Sequence, residues 1–496
     1  MGKQIKKIGK SALSVLLAIC LAIPTSLAFP TQSEAATTDF VVPEGRYLVN
    51  STEYAIAPGI KETKVITNNA TGNDQEVGFA VTVDLSNDTV SLGAGYANND
   101  GTTWGMQTVR GQAYAAEKAY GYNVVAAVNA DFFNMATGAP QGALVMNGTV
   151  YHNSTNPYFA ILKDGTAVIR QGKVKDDVKE AVGGSVIMLA EGKVVTGLGD
   201  SYYTHKEPRT AVGLKEDGSV VLFVADGRQY PYSGGLTIYE LANMMKAFGC
   251  VTAMNLDGGG STTFLTEREG SDDLALHNSP SDGGERTVSS SLFVYSTAKS
   301  DGRFNHAVLT PNNDAYTPFS SVRFEAIGAD AAGGPAQLPA DITFALASES
   351  ADMGTITADG TFVSSGKEGA VKVNLLNAGE VVGTTEVSVM APDSISFTNE
   401  EVSMGFSQTS DLGLTVKANG RDIIYNTDDF VWTLSDPSMG TFNGNIFTSS
   451  DSATVTGTIT CAYKYNTAVS GSVTAIIGKL PTVVWDFENP EEYTGL

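Results

Sequence analysis

The sequence predicts an α+β domain with a mixed sheet and a few helices, followed by two all-β sandwiches. Three observations carry that expectation. Hydrophobic residues make up 42% of the 496 positions, enough to bury real cores and to exclude disorder throughout. Glycine occurs 53 times, above the usual share of about 7% and without a triplet period, which argues for many turns and much β-structure. Helical signals are present before about Ser300 and vanish after it. At about 100–200 residues per domain, the length also asks for two to four domains.

The first 35 residues read as an address rather than as structure. Lys3, Lys6, Lys7 and Lys10 precede the apolar run 11–23, and Ser33-Glu34-Ala35 offers small residues at the −3 and −1 positions of a cleavage site. Cys20 follows the bulky Ile19, which favours ordinary secretion over lipid modification. The apolar run is too short to span a membrane, and no later run is long enough, so no transmembrane segment is expected after signal removal. Cleavage would remove four lysines and Glu34 and take the formal charge from −23 to −26. That field repels phosphate backbones and excludes nucleic acid as a partner. Of the three cysteines, Cys250 and Cys461 lie beyond the signal in different domains, and both read as buried free thiols.

Residues 37–298 carry the mixed signals. Val77, Phe79, Val81 and Val83 alternate as in a half-buried strand, and Asn87-Asp88 turns into a second strand around Val90 and Leu92. Hairpin turns are legible at Asn147-Gly148, Asp164-Gly165, Glu191-Gly192 and Asp217-Gly218. A helix over about 108–120 feeds the apolar strand 123–128. A second opens at Thr237, with Glu240 completing a capping box, and stops at Gly249 before the buried run 250–256.

Residues 301–393 and 394–478 repeat one another. Met353-Gly354-Thr355 and Met439-Gly440-Thr441 lie 86 positions apart, each followed by a strand ending in two serines. These segments resemble bacterial immunoglobulin-like domains, and the resemblance implies spacing or adhesion, including attachment to a cell wall. Residues 479–496 read as the opening strand of a further, truncated β domain.

Four segments of the first domain concentrate polar residues beside apolar strands. Asn129-Ala130-Asp131 leaves the strand ending at Val128, where side chains exit the core, although turn formation alone explains it more simply. Arg209 enters a strand where a guanidinium could fork onto phosphate or carboxylate, or onto a surface partner. Asp226 and Arg228 lie two apart, on one side of an extended segment. The strongest is Asn255-Leu256-Asp257-Gly258-Gly259-Gly260-Ser261-Thr262, in which three glycines allow main-chain N–H groups to converge on an anion. It is neither a Walker A loop, lacking the lysine, nor a dinucleotide fingerprint. Scattered histidines exclude a zinc site of ordinary spacing. No cofactor is required; a divalent cation such as calcium at Asp226 or Asp257 stays open. Trp104, Phe132, Phe133 and Tyr232 could face a sugar ring, with core packing the favoured reading of each. The acidic stretch 267–285 reads as a mobile surface excursion.

The order of these motifs (NADFFN, PRTAVG, DGR, the 236–249 helix, NLDGGGST and Glu285-Arg286) resembles the phosphodiester glycosidase family over residues 75–297. The resemblance implies cleavage between a sugar's anomeric carbon and a phosphate oxygen. Such a leaving group is already a weak base, so the site needs cations and N–H donors for phosphate plus one carboxylate. Arg209, Arg228, Arg286 and the Gly258–Gly260 amides are the expected phosphate contacts. Asp257 or Asp131 is the expected catalytic carboxylate, as base or nucleophile. Asn129, Asn255, Ser261 and Thr262 would orient the substrate, beside Asp226. The expected function is a secreted, extracellular or wall-associated bacterial hydrolase of sugar-1-phosphodiesters or phosphorylated glycans. A non-catalytic adhesin and a hydrolase of ordinary glycosidic bonds are the alternatives.

Overall fold

A computed structural model describes residues 40–100, 103–198 and 201–478. The signal segment 1–35 and the strand expected within 479–496 lie outside the described residues. In chain order the first half contains β1 (Arg46–Ala57), β2 (Ile60–Asn69), β3 (Glu76–Val83), β4 (Val90–Tyr96), α1 (Val109–Tyr120) and β5 (Asn123–Asn129). Next come β6 (Leu144–Met146), β7 (Thr149–His152), β8 (Pro157–Leu162), β9 (Ala167–Gln171), β10 (Val178–Gly183), β11 (Val186–Ala190) and β12 (Lys193–Val194). The remainder is α2 (Ser201–Thr204), β13 (Arg209–Lys215), β14 (Val220–Ala225), α3 (Ile238–Ala247), β15 (Cys250–Asn255), β16 (Phe264–Thr266), β17 (Ala275–Leu276) and β18 (Ser290–Ser296).

These elements stack as helix, sheet, sheet, helix. An eight-stranded sheet, β1-β2-β3-β14-β13-β15-β11-β12, faces a five-stranded sheet, β17-β16-β5-β18-β4, and β7-β6-β10-β8-β9 forms a third. Val77, Phe79, Val81 and Val83 of β3 point inward against Leu92, Val128, Phe264 and Leu292. Ala80, on the other face, is also buried, beneath α3. β3 is therefore covered on both sides rather than half-buried. α1 covers the outer face of the smaller sheet with Val109, Ala113 and Ala116 on Val124, Ala127 and Phe293.

Both long helices start and stop where the sequence places their caps. Thr237 and Glu240 exchange hydrogen bonds as a capping box, and Gly121 ends α1 in the left-handed region at φ 70°. The four expected hairpin turns join β6–β7, β8–β9, β11–β12 and β13–β14.

The mixed sheet is corrected: among the described residues of 40–298 every strand pairing is antiparallel. The reason lies in how the helices cross over. β4 and β5 run the same way, but β18 sits between them and pairs antiparallel with each. β14 and β15 flank β13 in the same manner. An inserted strand thus replaces the parallel contact that a crossover helix ordinarily creates.

Beyond residue 300 two modules share one topology. Ten strands between His306 and Val389, and ten between Ser394 and Ile477, each form sheets of three, four and three strands with corresponding order and direction. Met353 and Met439 of the repeated triplets are buried at equivalent places. A Cβ at Gly354 or Gly440 would collide with the carbonyl of Val363 or Thr448, so the triplet is a packing device. Asn313 joins the first module to β1, donating to Asn50 Oδ1 at 2.7 Å. Cys250 and Cys461 are buried free thiols, and burial pushes both up to about 12.

Glu62 of β2 links the two facing sheets. Fully buried, it accepts from Thr266 Oγ1 at 2.5 Å and from Arg268 Nη2 at 2.5 Å. Replacing it by alanine leaves the Arg268 charge without its partner. Glu62→Ala is expected to lower stability by about 3 kcal/mol, with Glu62→Gln losing less, as read by urea unfolding.

Candidate active site

Two Asn-x-Asp triplets end the two strands that follow the long helices. Asn129-Ala130-Asp131 closes β5 and Asn255-Leu256-Asp257 closes β15. Their main chains meet, with Asp257 N donating to Ala130 O at 2.8 Å. Asn129 is fully buried. Its Nδ2 donates to Asp257 O at 2.7 Å, and its Oδ1 accepts from Thr210 Oγ1 at 2.8 Å and Thr263 N at 3.1 Å. Asn255 Nδ2 donates to Ser185 Oγ at 2.9 Å, while its buried Oδ1 has no protein partner.

The glycines follow for three separate reasons. A Cβ on Gly258 would lie 2.6 Å from Pro208 O, and one on Gly260 would lie 2.2 Å from Asp282 Oδ1 and 2.3 Å from Arg286 Nη2. Gly259 adopts φ +62°. Of the three glycine amides expected to converge on an anion, those of Gly258 and Gly259 are taken by the protein. Gly258 N donates to Asp257 Oδ1 at 2.9 Å, Gly259 N to Pro208 O at 2.8 Å, and Ser261 N and Thr262 N to carbonyls within the turn. Those four amides are engaged by the protein itself, because the turn is a tight 3₁₀ coil rather than an open cradle.

Asp257 lies close enough for its charge to bear on Asp131. Asp131 is 2% exposed. Gly142 N donates to its Oδ2 at 2.5 Å, its Oδ1 has no protein partner, and Gly142 and Gly183 lack side chains where a Cβ would crowd its carboxylate. Burial, reinforced by the Asp257 charge, pushes Asp131 up to about 7. Burial also raises Asp257, to about 6, with Ser261, the Gly258 amide and the Arg286 charge pulling the other way. Arg286 donates from Nε to Asp282 Oδ2 at 2.8 Å and from Nη1 to Ser261 Oγ at 3.4 Å. Arg228, half-exposed, pairs with Glu207 and lies over Gly259.

The structure therefore brings together Asn129, Asp131, Asn255, Asp257, Gly258–Thr262, Arg228 and Arg286. Arg209 does not join them. Thr210 points inward to Asn129, so the Arg209 side chain takes the opposite face of β13. There it is buried and donates to Leu236 O and His205 O, both at 2.9 Å. Asp226 stands one shell behind. Its oxygens accept from Tyr232 OH at 2.9 Å, Asn278 Nδ2 at 3.0 Å and Ser279 N, and Asn278 reaches on to Thr262 O at 3.2 Å. Burial raises the Asp226 carboxyl. Among the described residues there is no cluster of three or more His, Cys, Asp or Glu side chains arranged to hold a metal ion.

The acidic stretch 267–285, expected as a mobile excursion, is pinned instead. Arg268 binds Glu62, Glu285 binds Arg110 at 2.9 Å, and Asp282 orients Arg286. Sequence reading passed over Gly142, Gly183, Ser290, Asp282 and Asn278. Ser290 Oγ accepts from Asp131 N at 3.1 Å. None of these sits in a motif: Asp282 acts from a loop four residues before Arg286, and the others act between separate segments of the chain.

The site is a pair of strand-end carboxylates with guanidiniums at its rim. Residues 122–295 match the family model described as phosphodiester glycosidase. The mouse N-acetylglucosamine-1-phosphodiester alpha-N-acetylglucosaminidase is 32% identical over 162 residues, covering 28% of this chain and 31% of that protein. The SPbeta prophage-derived protein YomE of Bacillus subtilis is 39% identical over 100 residues, 20% of this chain and 14% of YomE. This chain thus spans less than a third of the length of either relative. The zebrafish enzyme's catalytic domain, auto-inhibited by its pro-peptide, covers 50% of this chain and 88% of its own length at 22% identity and a TM-score of 0.40.

The raised Asp131 has a consequence for stability. An unfolded aspartate titrates near 3.9 and folded Asp131 near 7, so the folded state holds the extra proton between those values. Its contribution is most favourable below pH 4, is lost as the pH rises to 7, and leaves a cost on the order of 4 kcal/mol above that. Asp131→Asn is expected to raise Tm at pH 8 by at least about 4 °C, and at pH 4 by less than about 1 °C, in scanning calorimetry.

Proposed function

We propose that the domain over 37–298 hydrolyses the bond between an anomeric carbon and a phosphate oxygen in sugar-1-phosphodiesters. The observation that carries this reading is the Asp131–Asp257 pair, both carboxyls raised by burial, with Arg286 and Arg228 at its edge. The match to the phosphodiester glycosidase model and the names of the mammalian relatives support it.

In this reading the arginines hold the diester phosphate. Arg286, beside Asp257, takes the charge that grows on the phosphate as the bond breaks. Asp257 ionises first and acts at the anomeric carbon, as base for water or as nucleophile. Asp131 holds its proton below about pH 7 and donates from the otherwise unpartnered Oδ1. Asn129 and Asp226 position the turn from behind, and Arg209 fixes the 205–236 approach. No cofactor is needed, and turnover in a chelator is expected to equal turnover without one. Secretion and a cell-wall or extracellular glycan as substrate complete the proposal, from the signal-like first 35 residues and the repeated β modules.

The test is release of free N-acetylglucosamine from the methyl ester of its 1-phosphate by the signal-free chain. Asp257→Asn is expected to lower kcat/KM at least about 100-fold. The wild-type rate should rise as pH climbs through about 6 and Asp257 ionises, then fall through about 7 as Asp131 loses its proton. Asp131→Asn should abolish the alkaline fall together with most of the rate. Binding without turnover would instead support an adhesin, and faster turnover of a phosphate-free glycoside would support an ordinary glycosidase.

A further inference from the structure

An exposed indole is linked to Asp131 through His152 and Gly142, and nothing in the reaction as described uses it. Trp104 is 38% exposed, and Met106, two residues on, is 37% exposed. Its ring meets Tyr96 edge-on at 5.6 Å and His152 edge-on at 6.0 Å. His152 Nδ1 lies 2.5 Å from Gly142 O, and the amide of that same Gly142 is the donor to Asp131 Oδ2. Contacts thus run from Asp131 through Gly142 and His152 to Trp104.

The indole is held rigidly. Tyr96 OH accepts from Gly105 N at 2.7 Å and donates to Gly138 O at 2.9 Å. A Cβ at Gly138 would lie 2.2 Å from Gly105 O, so the two loops touch backbone to backbone. Gln107 pairs with Val288, two residues before the Ser290 that anchors Asp131. A fixed aromatic side chain left in water at the margin of a polar site has low ordering cost on binding and a flat apolar face to offer.

We propose that Trp104, with His152 at its edge, forms a second sugar subsite, stacking the ring that precedes the scissile sugar on its non-reducing side. The proposal rests on the phosphodiester glycosidase reading. With the phosphate at the arginines and the anomeric carbon at the carboxylates, the sugar extends toward His152. Gly142 and His152 stand between carboxylate and indole, which leaves Trp104 for the next ring. A pyranose presents C–H groups to the indole face and keeps its hydroxyls in water, which suits a ring left partly exposed.

The experiment compares methyl phosphodiesters of N-acetylglucosamine and of a disaccharide ending in it. Wild type should favour the disaccharide at least tenfold in kcat/KM, chiefly through KM. Trp104→Ala should abolish that preference, Trp104→Phe should keep most of it, and Tyr122→Ala, an exposed aromatic outside the site, should leave it intact. Equal losses on both donors, or no wild-type preference, would overturn the subsite. Should wild type hydrolyse neither, the function above fails, and calorimetric binding still decides the subsite: tighter disaccharide binding lost in Trp104→Ala supports it, and no binding of either overturns it.

Discussion

One buried amide holds the rest in register. Asn129 ends a strand of the smaller sheet, accepts from Thr210 on the larger one, and binds both ends of the glycine turn through Asp257 O and Thr263 N. No other side chain type with the same shape both donates and accepts at such a point. An aspartate there would repel Asp257 O, and a leucine would strand three buried polar groups. The positions of Asp131 and Asp257, two residues along from their respective asparagines, follow from that junction.

The acids themselves work against the fold. Asp131 has one hydrogen-bonded oxygen, one bare oxygen and a like-charged neighbour, in surroundings too dry to carry a second negative charge comfortably. Structures accept such groups where chemistry needs two protonation states side by side. The arginines are tethered by Glu207 and Asp282, which keeps them oriented and dilutes the field they present to an anion.

Much of this was legible beforehand because it is local. The helix caps, the four hairpin turns, the alternation in β3 and the repeat of the MGT triplet depend on residues a few positions apart, and they appear where the sequence puts them. What was not legible is what depends on insertion or alternation across the sheets. The placement of β18 and β13 between same-direction strands has no signature in either strand, so the sheet reads as mixed. Arg209 sits next to an inward-pointing Thr210, and strand parity alone turns its guanidinium away, but parity needs the register to be known. Likewise Gly142 and Gly183 look like ordinary loop glycines until Asp131 is seen between them. Trp104 reads as core by composition and is instead left at the surface by the Tyr96 clasp.

The placement of β18 has a consequence for how the chain comes into being. Its seven residues, Ser290–Ser296, run between β4 and β5, so the last strand of the domain is the wedge that closes its middle. A ribosome emits the two flanking strands well before the wedge, and until then their facing edges stay open and sticky. Compact structure is deferred until nearly the whole domain has emerged.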